Sequence, residues 1–336
     1  MTATCTVAIP VYRGGLFLEE SLASVKAQTY SHFEVIMSLD GPDPECEEIC
    51  RGFLSDSRFR LVIQPHRLGW MAHTNWLISQ VQTEFWHLQE QDDLIDPIFL
   101  ETLIEYAHKH PAIAAVFGDV RTFGTFGSHI TMSSVLGTPV LRELKLIHEH
   151  FQGVAPLGVV RSEALHITGG LRANEFENFA ADTALMAGLA RWGELHRIPL
   201  ELYHKRVHEA STHATWWKWD RVTRIKAWQV HCLDMLQHAL QIDSSPQDRS
   251  LIWLAVVERL VSPLIAAHFI QTEELTLGER EDMLDSFLQQ VSDSSLDISA
   301  SLATSWDDIV HWTQNFFWLG SVRNAPRGED LARSHL

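Results

Sequence analysis

The chain has 336 residues, enough for one large α/β domain with an appendage or for two ordinary domains. Apolar residues make up 46% and charged residues 21%, which excludes a disordered or fibrous protein. A net charge of −17 excludes a sequence-independent nucleic-acid surface, which needs clustered Lys and Arg. The longest apolar runs, such as Leu251 to Val257, fall short of the ~20 residues needed to span a bilayer, and Pro263 interrupts the next. The N-terminus leads straight into the apolar run Cys5 to Ile9, without the basic segment and cleavage site of a secretory leader, so the expected location is the cytoplasm. Four Cys are too few for a disulfide framework, and Cys46 and Cys50 are expected on one helical face as reduced thiols.

In chain order, the first half alternates strand-like and helical segments, the pattern of βαβ units around a largely parallel sheet. The predicted strands are Thr6 to Ile9, Phe33 to Leu39, Arg60 to Gln64, Glu84 to Gln89 and Ala114 to Val120. Helices are predicted over Leu16 to Gln28, Pro44 to Leu54, Met71 to Gln80 and Pro97 to His108, from apolar residues at three- and four-residue spacing. Ser133 to Val207 is irregular, with Gly158, Gly169 and Gly170 around short apolar runs and one clear helix from Asp182 to Trp192, and reads as the second part of the same domain. After about Ala214 only helical patterns remain: Trp216 to Leu240, Arg249 to Phe269, Thr272 to Val291 and Trp306 to Leu319.

Ligands of such sheets bind beyond the carboxyl ends of the strands. The fourth predicted strand runs into Gln89-Glu90-Gln91-Asp92-Asp93-Leu94-Ile95-Asp96-Pro97, where Asp96 reads as an N-cap and Pro97 as the first helical residue. Glu90, Asp92 and Asp93 are then left on a loop, where hard oxygen ligands suit Mg²⁺ or Mn²⁺ against a diphosphate. A solvated acidic loop leading into a helix would have the same composition. Asp40, in Ser38-Leu39-Asp40-Gly41, can accept from a nucleobase imide or a ribose hydroxyl, or can simply form an Asp-Gly turn. Pro10 and Tyr12 offer a rigid turn and an aromatic face after the first strand. The chain has 19 His, and His204, His208 and His213 lack the partners of a zinc motif.

Together these strand ends resemble the family-2 glycosyltransferases of the GT-A fold. Ile9-Pro10-Val11-Tyr12 is similar to the family's opening motif, and Leu22 through Tyr30 to its "leSvlnQty" helix end. Ser38-Leu39-Asp40-Gly41 stands where Asp-Asp-Gly-Ser is common, and Arg67, Leu68, Gly69 and Asn75 follow the "N-x-G-x-x-x-x-x-N" segment. Glu90-Gln91-Asp92-Asp93 falls on the Asp-x-Asp metal motif, Gly169-Gly170-Leu171 on the "GGf" turn, Ala181-Asp182 on Glu-Asp, and Arg206-Val207-His208 on "R-x-H". The resemblance covers Thr4 to Thr212. Leu39, Arg13, Arg67, Glu90 and Ala181 depart from the family's residues.

The resemblance implies a GT-A catalytic domain over 1–213, a doubly wound mixed sheet, followed by a helical region over 214–336. It implies inverting transfer of a single sugar from a nucleotide-diphosphate sugar, UDP favoured, with Asp182 as base and with Asp92, Glu90 and His208 holding a divalent Mn or Mg ion. Donor contacts are expected from Pro10, Tyr12, Asp40, Arg67, Gly69, Asn75, Asp93, Gly169 and Gly170. The acceptor is left open among a saccharide, a glycolipid, a peptide and a small metabolite.

A sugar nucleotidyltransferase would need a Gly-rich loop with a basic residue after the first strand, and Pro10-Val11-Tyr12-Arg13-Gly14-Gly15 is too short. A dehydrogenase would need Gly-x-Gly-x-x-Gly. Two alternatives stand beside the transferase: the sugar nucleotidyltransferase on a similar sheet, and a non-catalytic sugar or nucleotide binder on the same fold. Processive synthases carry Gln-x-x-Arg-Trp, whereas Gly188 stands three positions before Arg191-Trp192. Trp216-Trp217-Lys218-Trp219 has three readings: packing of the helical region, stacking on an acceptor sugar, and peripheral contact with a membrane surface.

Overall fold

The computed structural model describes residues 3–149, 153–208, 216, 218–262, 266, 270 and 275–323. The chain divides into two compact units, Met1–Lys218 and Trp219–Leu336.

The first unit is built outward from β1 (Cys5–Val11), whose residues are all buried. Strands covered on both faces by helices carry continuous apolar runs instead of alternation, as in Val-Ala-Ile here and Val-Ile-Met in β2 (Phe33–Leu39). With β3 (Phe59–Ile63) and β4 (Phe85–Leu88) they form a parallel set in the order β3-β2-β1-β4. The connections are α1 (Gly15–Lys26), α2 (Pro44–Arg51) and α3 (Trp70–Ser79). Pro10 is tolerated in a central strand because β4 pairs with β1 only as far as Ala8 opposite Leu88, so no β4 rung is lost at position 10.

Beyond β4 come β5 (Leu94–Ile95), α4 (Phe99–Lys109), β6 (Ile113–Gly124), β7 (His129–Ile130) and α5 (Pro139–His148). A single 3-10 turn (Ala155–Leu157), β8 (Val159–Arg161), α6 (Ser162–Thr168), α7 (Ala181–Trp192) and β9 (Glu194–Val207) complete the unit. The sheet continues β4-β8-β6-β9-β5, with β8 antiparallel to both neighbours, β9 parallel to β6, and β5 antiparallel to β9.

Two sequence expectations change here. The helix after the acidic loop begins at Phe99 and not at Pro97; Asp96 Oδ1 accepts from Ile98 N at 3.1 Å and closes a turn ahead of the helix. Leu94 and Ile95, which belong to no predicted strand, are strand, because β9 supplies an edge for them at Tyr203 and His204. The irregular stretch hides β9, whose Pro199 and shifts of register against β6 break any period-2 pattern.

Helix α5 packs on α7. Arg142 Nε donates to the carbonyl of Ala190 at 2.5 Å, and its Nη2 to that of Arg191, so a buried guanidinium caps the C-terminal end of α7. The neighbouring Glu143 is 0% exposed, and neither of its oxygens has a hydrogen-bond partner among the described residues. Burial pushes its carboxyl up to about 8, with the Arg142 and Arg191 charges opposing.

The second unit is helical: α8 (Arg221–Ala239), α9 (Pro246–Val261), α10 (Leu277–Asp293), α11 (Ile298–Leu302) and α12 (Trp306–Arg323). Its helix starts are written locally: Ser245 with Asp248 and Thr276 with Glu279 form capping boxes, and Asp220 caps α8 through Thr223 N. Trp228 and Trp253 are fully buried, with indole N–H groups donating to Leu260 O at 3.0 Å and Thr313 Oγ1 at 2.8 Å. The predicted reach to Phe269 and the predicted start at Thr272 lie outside the described residues.

Candidate active site

At the end of β4 the chain is held by one buried side chain. Gln89 N donates to Ala8 O at 3.0 Å, extending the ladder by one rung, and its amide reaches Ser21 Oγ, Glu90 O and, at 2.8 Å, Asp93 O. Asp93 is 2% exposed: Oδ1 accepts from Arg206 N at 2.7 Å and Oδ2 from the Tyr203 hydroxyl at 2.8 Å. Both its oxygens therefore tie the acidic loop to β9. This holds Asp92 opposite the residue after β9, where Asp92 Oδ2 accepts from His208 Nε2 at 2.7 Å. Arg206 fixes the same corner, with Nε on Asp92 O at 2.9 Å and its guanidinium between the Phe17 and Phe123 rings, 4.3 and 4.5 Å from their centroids.

Negative charge is concentrated here. Burial, followed by the charge of Asp92, drives the Glu90 carboxyl up to about 8; Asp93 and Asp182 push the same way and Lys205 opposes. Burial also raises Asp93 to about 6, Lys205 pulling it down and Asp92 pushing it up. No group of three His, Cys, Asp or Glu among the described residues forms a closed cation cage. Mg²⁺ and Mn²⁺ are commonly held by one or two side chains together with substrate phosphates. The Asp92 and His208 pair, one quarter exposed on each side, fits that mode, whereas Glu90 does not join them in a three-residue group.

Asp182 lies in the first turn of α7. Its Oδ1 accepts from Thr183 N at 2.9 Å, and its carboxylate packs so closely on Gly153 that any Cβ there would overlap it. The segment leading into α7 holds Glu177, Asn178 and Ala180 at φ 48°, 61° and 53°, a costly conformation for residues with a Cβ. Asn174 fastens it, donating to Phe179 O at 3.0 Å and accepting from Phe176 N at 3.1 Å. Trp216 stacks edge-on against Phe179 at 5.1 Å.

On the other side of β1, Asp40 Oδ1 and Oδ2 accept from Leu68 N at 2.5 Å and Gly69 N at 3.0 Å, shaping the loop before α3. Arg67, on that loop, lies 4.2 Å over the Tyr12 ring, and Arg13 lies 5.2 Å from the same ring. The two departures at Arg13 and Arg67 thus meet on one aromatic side chain. Gln91 pairs with the Tyr12 backbone through both ends of its amide, at 2.8 and 2.9 Å.

Asn75 gives its amide to both backbone groups of Leu171, at 2.8 and 2.9 Å. Gly169 and Gly170 make this turn with φ 78° and 77°, and a Cβ on Gly170 would sit 2.5 Å from Asn75 Oδ1. Asn75, Asp93 and Asp40 therefore all spend side-chain groups on the protein. Sequence reasoning missed Gln89, Gln91, Tyr203, Asn174 and Phe17, since isolated Gln, Asn and aromatic residues carry no local signal. His213 and Trp217 lie outside the described residues.

With this geometry in place, comparison with known proteins defines the class. Residues 6–159 match the model of glycosyl transferase family 2. The solved structure of residues 1–349 of S. aureus TarS in complex with UDP-GlcNAc superposes with a TM-score of 0.65 at 14% identity, covering 94% of this chain and 88% of that one. The mannosyltransferase PcManGT of Pyrobaculum calidifontis, in complex with GDP-Man and Mn2+, gives a TM-score of 0.53 at 17% identity, covering 96% and 87%. The fold is the GT-A fold of glycosyltransferases. The family match covers a little under half of the chain, residues 6–159. Among curated relatives, the glycosyltransferase GlyG of Streptococcus pneumoniae is 29% identical over 113 residues, 33% of this chain and 38% of GlyG, so the match spans well under half of that relative.

Proposed function

We propose that the protein is an inverting glycosyltransferase that moves a single sugar from a nucleotide-diphosphate sugar to an acceptor hydroxyl, within a catalytic domain over 1–213. The observation that carries this reading is the Asp92 and His208 pair at 2.7 Å beyond the carboxyl ends of the parallel strands, with Asp182 in the first turn of α7. Asp182 accepts the acceptor's proton as the acceptor oxygen bonds to the anomeric carbon and the bond from that carbon to the diphosphate breaks. Asp92 and His208 would hold a divalent Mn²⁺ or Mg²⁺, with Glu90 as the third carboxylate of the motif, and the ion would supply positive charge to the departing diphosphate. Asp40 orders the loop carrying Arg67, Tyr12 supplies the aromatic surface facing it, and Asn75 fixes the turn at Gly169 and Gly170.

UDP is favoured as the donor's nucleotide because TarS is solved with UDP-GlcNAc and with UDP, although PcManGT is solved with GDP-Man. No helix among the described residues is long and apolar enough to cross a membrane, and all four Cys are free and buried, which suits a reducing, cytoplasmic setting. The test is donor hydrolysis and transfer across UDP- and GDP-sugars with Mn²⁺ present, followed by mass spectrometry. Turnover with one donor that Asp92→Ala abolishes supports the reading; donor binding without turnover on any acceptor would favour a non-catalytic binder.

A further inference from the structure

Beyond Ala8 and Leu88 the ladder between β1 and β4 ends, and only Gln89 N adds one more rung. The two strands then lead into different halves of the site: β1 into Tyr12, Arg13 and Gly14, and β4 into Glu90, Gln91 and Asp92. Gln91 spans the gap. Its Oε1 accepts from Tyr12 N at 2.8 Å and its Nε2 donates to Tyr12 O at 2.9 Å, so the amide imitates the peptide group of a paired strand.

Three features show that this contact is built in. Gly14 lies against it, and a Cβ there would stand 2.8 Å from Gln91 Oε1, so any larger residue would press on the clamping amide. Arg13 is held at φ 51°, the strained conformation by which the chain turns off β1 just after the clamped residue. The clamped Tyr12 carries Arg67 at 4.2 Å, and Arg67 belongs to the loop that Asp40 holds through Leu68 N and Gly69 N. A continuous chain of contacts therefore runs from Asp92 through its neighbour Gln91 to Tyr12, Arg67 and Asp40.

We propose that Gln91, the middle residue of the acidic motif, is a positioning residue that couples the nucleotide end of the donor site to the metal end by clamping the Tyr12 backbone. The proposal rests on the glycosyltransferase reading above. Gln91 itself presents no charge to either ligand; it fixes the distance between the two loops so that a nucleotide diphosphate and its cation meet a preorganised site. Each ligand then favours the loop arrangement the other needs, which is positive coupling.

The experiment measures UDP affinity by calorimetry on the full chain, with Mn²⁺ and with chelator, for the wild type, Gln91→Met and Gly14→Ala. The readout is the ratio of the two affinities. Gln91→Met keeps the length of the side chain and removes both hydrogen bonds; its ratio should fall by ~10-fold or more. The Tyr12 amide should at the same time exchange its hydrogen ~10-fold faster or more while Val7 in β1 is unchanged. Gly14→Ala presses on Gln91 Oε1 from the other side and should lower the ratio in the same direction; it decides alone should Gln91→Met fail to fold. A ratio within about threefold of wild type in a folded variant overturns the coupling and leaves the metal site standing. A wild-type affinity indifferent to Mn²⁺ overturns the metal reading and the coupling with it.

Discussion

His208 Nε2 lies 2.7 Å from Asp92 Oδ2, although 116 positions separate the two residues in the chain. Strand β9 brings them together, since Tyr203 and Arg206 N bind Asp93 and leave His208 facing its neighbour Asp92. With both groups on one cation, Asp92→Ala or His208→Ala should each weaken Mn²⁺ binding in the presence of UDP by roughly 10–100-fold. Titration of Mn²⁺ by calorimetry or paramagnetic resonance checks this. A His208→Ala protein with wild-type affinity would remove the histidine from the site.

Asp182→Asn keeps the volume and the hydrogen bond to Thr183 N while removing the basicity. Donor affinity should stay within about threefold of wild type, and the single-turnover rate should fall ~100-fold or more. If Asp182 serves only the N-terminal end of α7, the change costs at most ~1 kcal/mol of stability and turnover persists. A normal rate with a lowered melting temperature would rule out Asp182 as the base.

Asp40→Ala removes the acceptor for two backbone N–H groups, of Leu68 and Gly69. Loss of this pairing should cost about 1–3 kcal/mol of stability and, by freeing the Arg67 loop, weaken UDP binding. Denaturant unfolding and UDP titration on the same preparation test both halves. Wild-type UDP affinity in a destabilised variant would mean that the loop's order is irrelevant to the nucleotide.

Glu143 makes a prediction about pH. Its folded-state carboxyl is raised to about 8 from an ordinary 4.5, so the folded protein holds a proton that the unfolded chain has released. Stability therefore falls as pH rises from about 4.5 to about 8 and is flat above. Glu143→Gln, neutral at every pH, should be close to wild type at pH 4.5 and more stable by about 1–3 kcal/mol at pH 8. Melting temperatures of both proteins across that range check the sign. A gap that does not widen with pH would show that Glu143 is not buried as an acid.

The sequence by itself determined the parallel half of the sheet and the helical character of the second unit, although the expected helix starts at Trp216 and Arg249 give way to Arg221 and Pro246. Buried parallel strands write themselves as uninterrupted apolar runs, as in β1 and β2, and helix caps such as Ser245 with Asp248 need only neighbours three residues apart. It also placed Glu90, Asp92 and Asp93 on the loop after β4, because the residue following a strand is fixed by the strand. Tertiary structure decided what each carboxylate faces. Asp93 is sealed by Tyr203 and the Arg206 backbone while adjacent Asp92 meets His208, a difference that arises only when β9, broken by Pro199 and register shifts, lies down beside β5 and β6. The roles of Gln89 and Gln91 were equally invisible, since a side-chain amide acquires a partner only when a second loop, distant in sequence, arrives within ~3 Å of it.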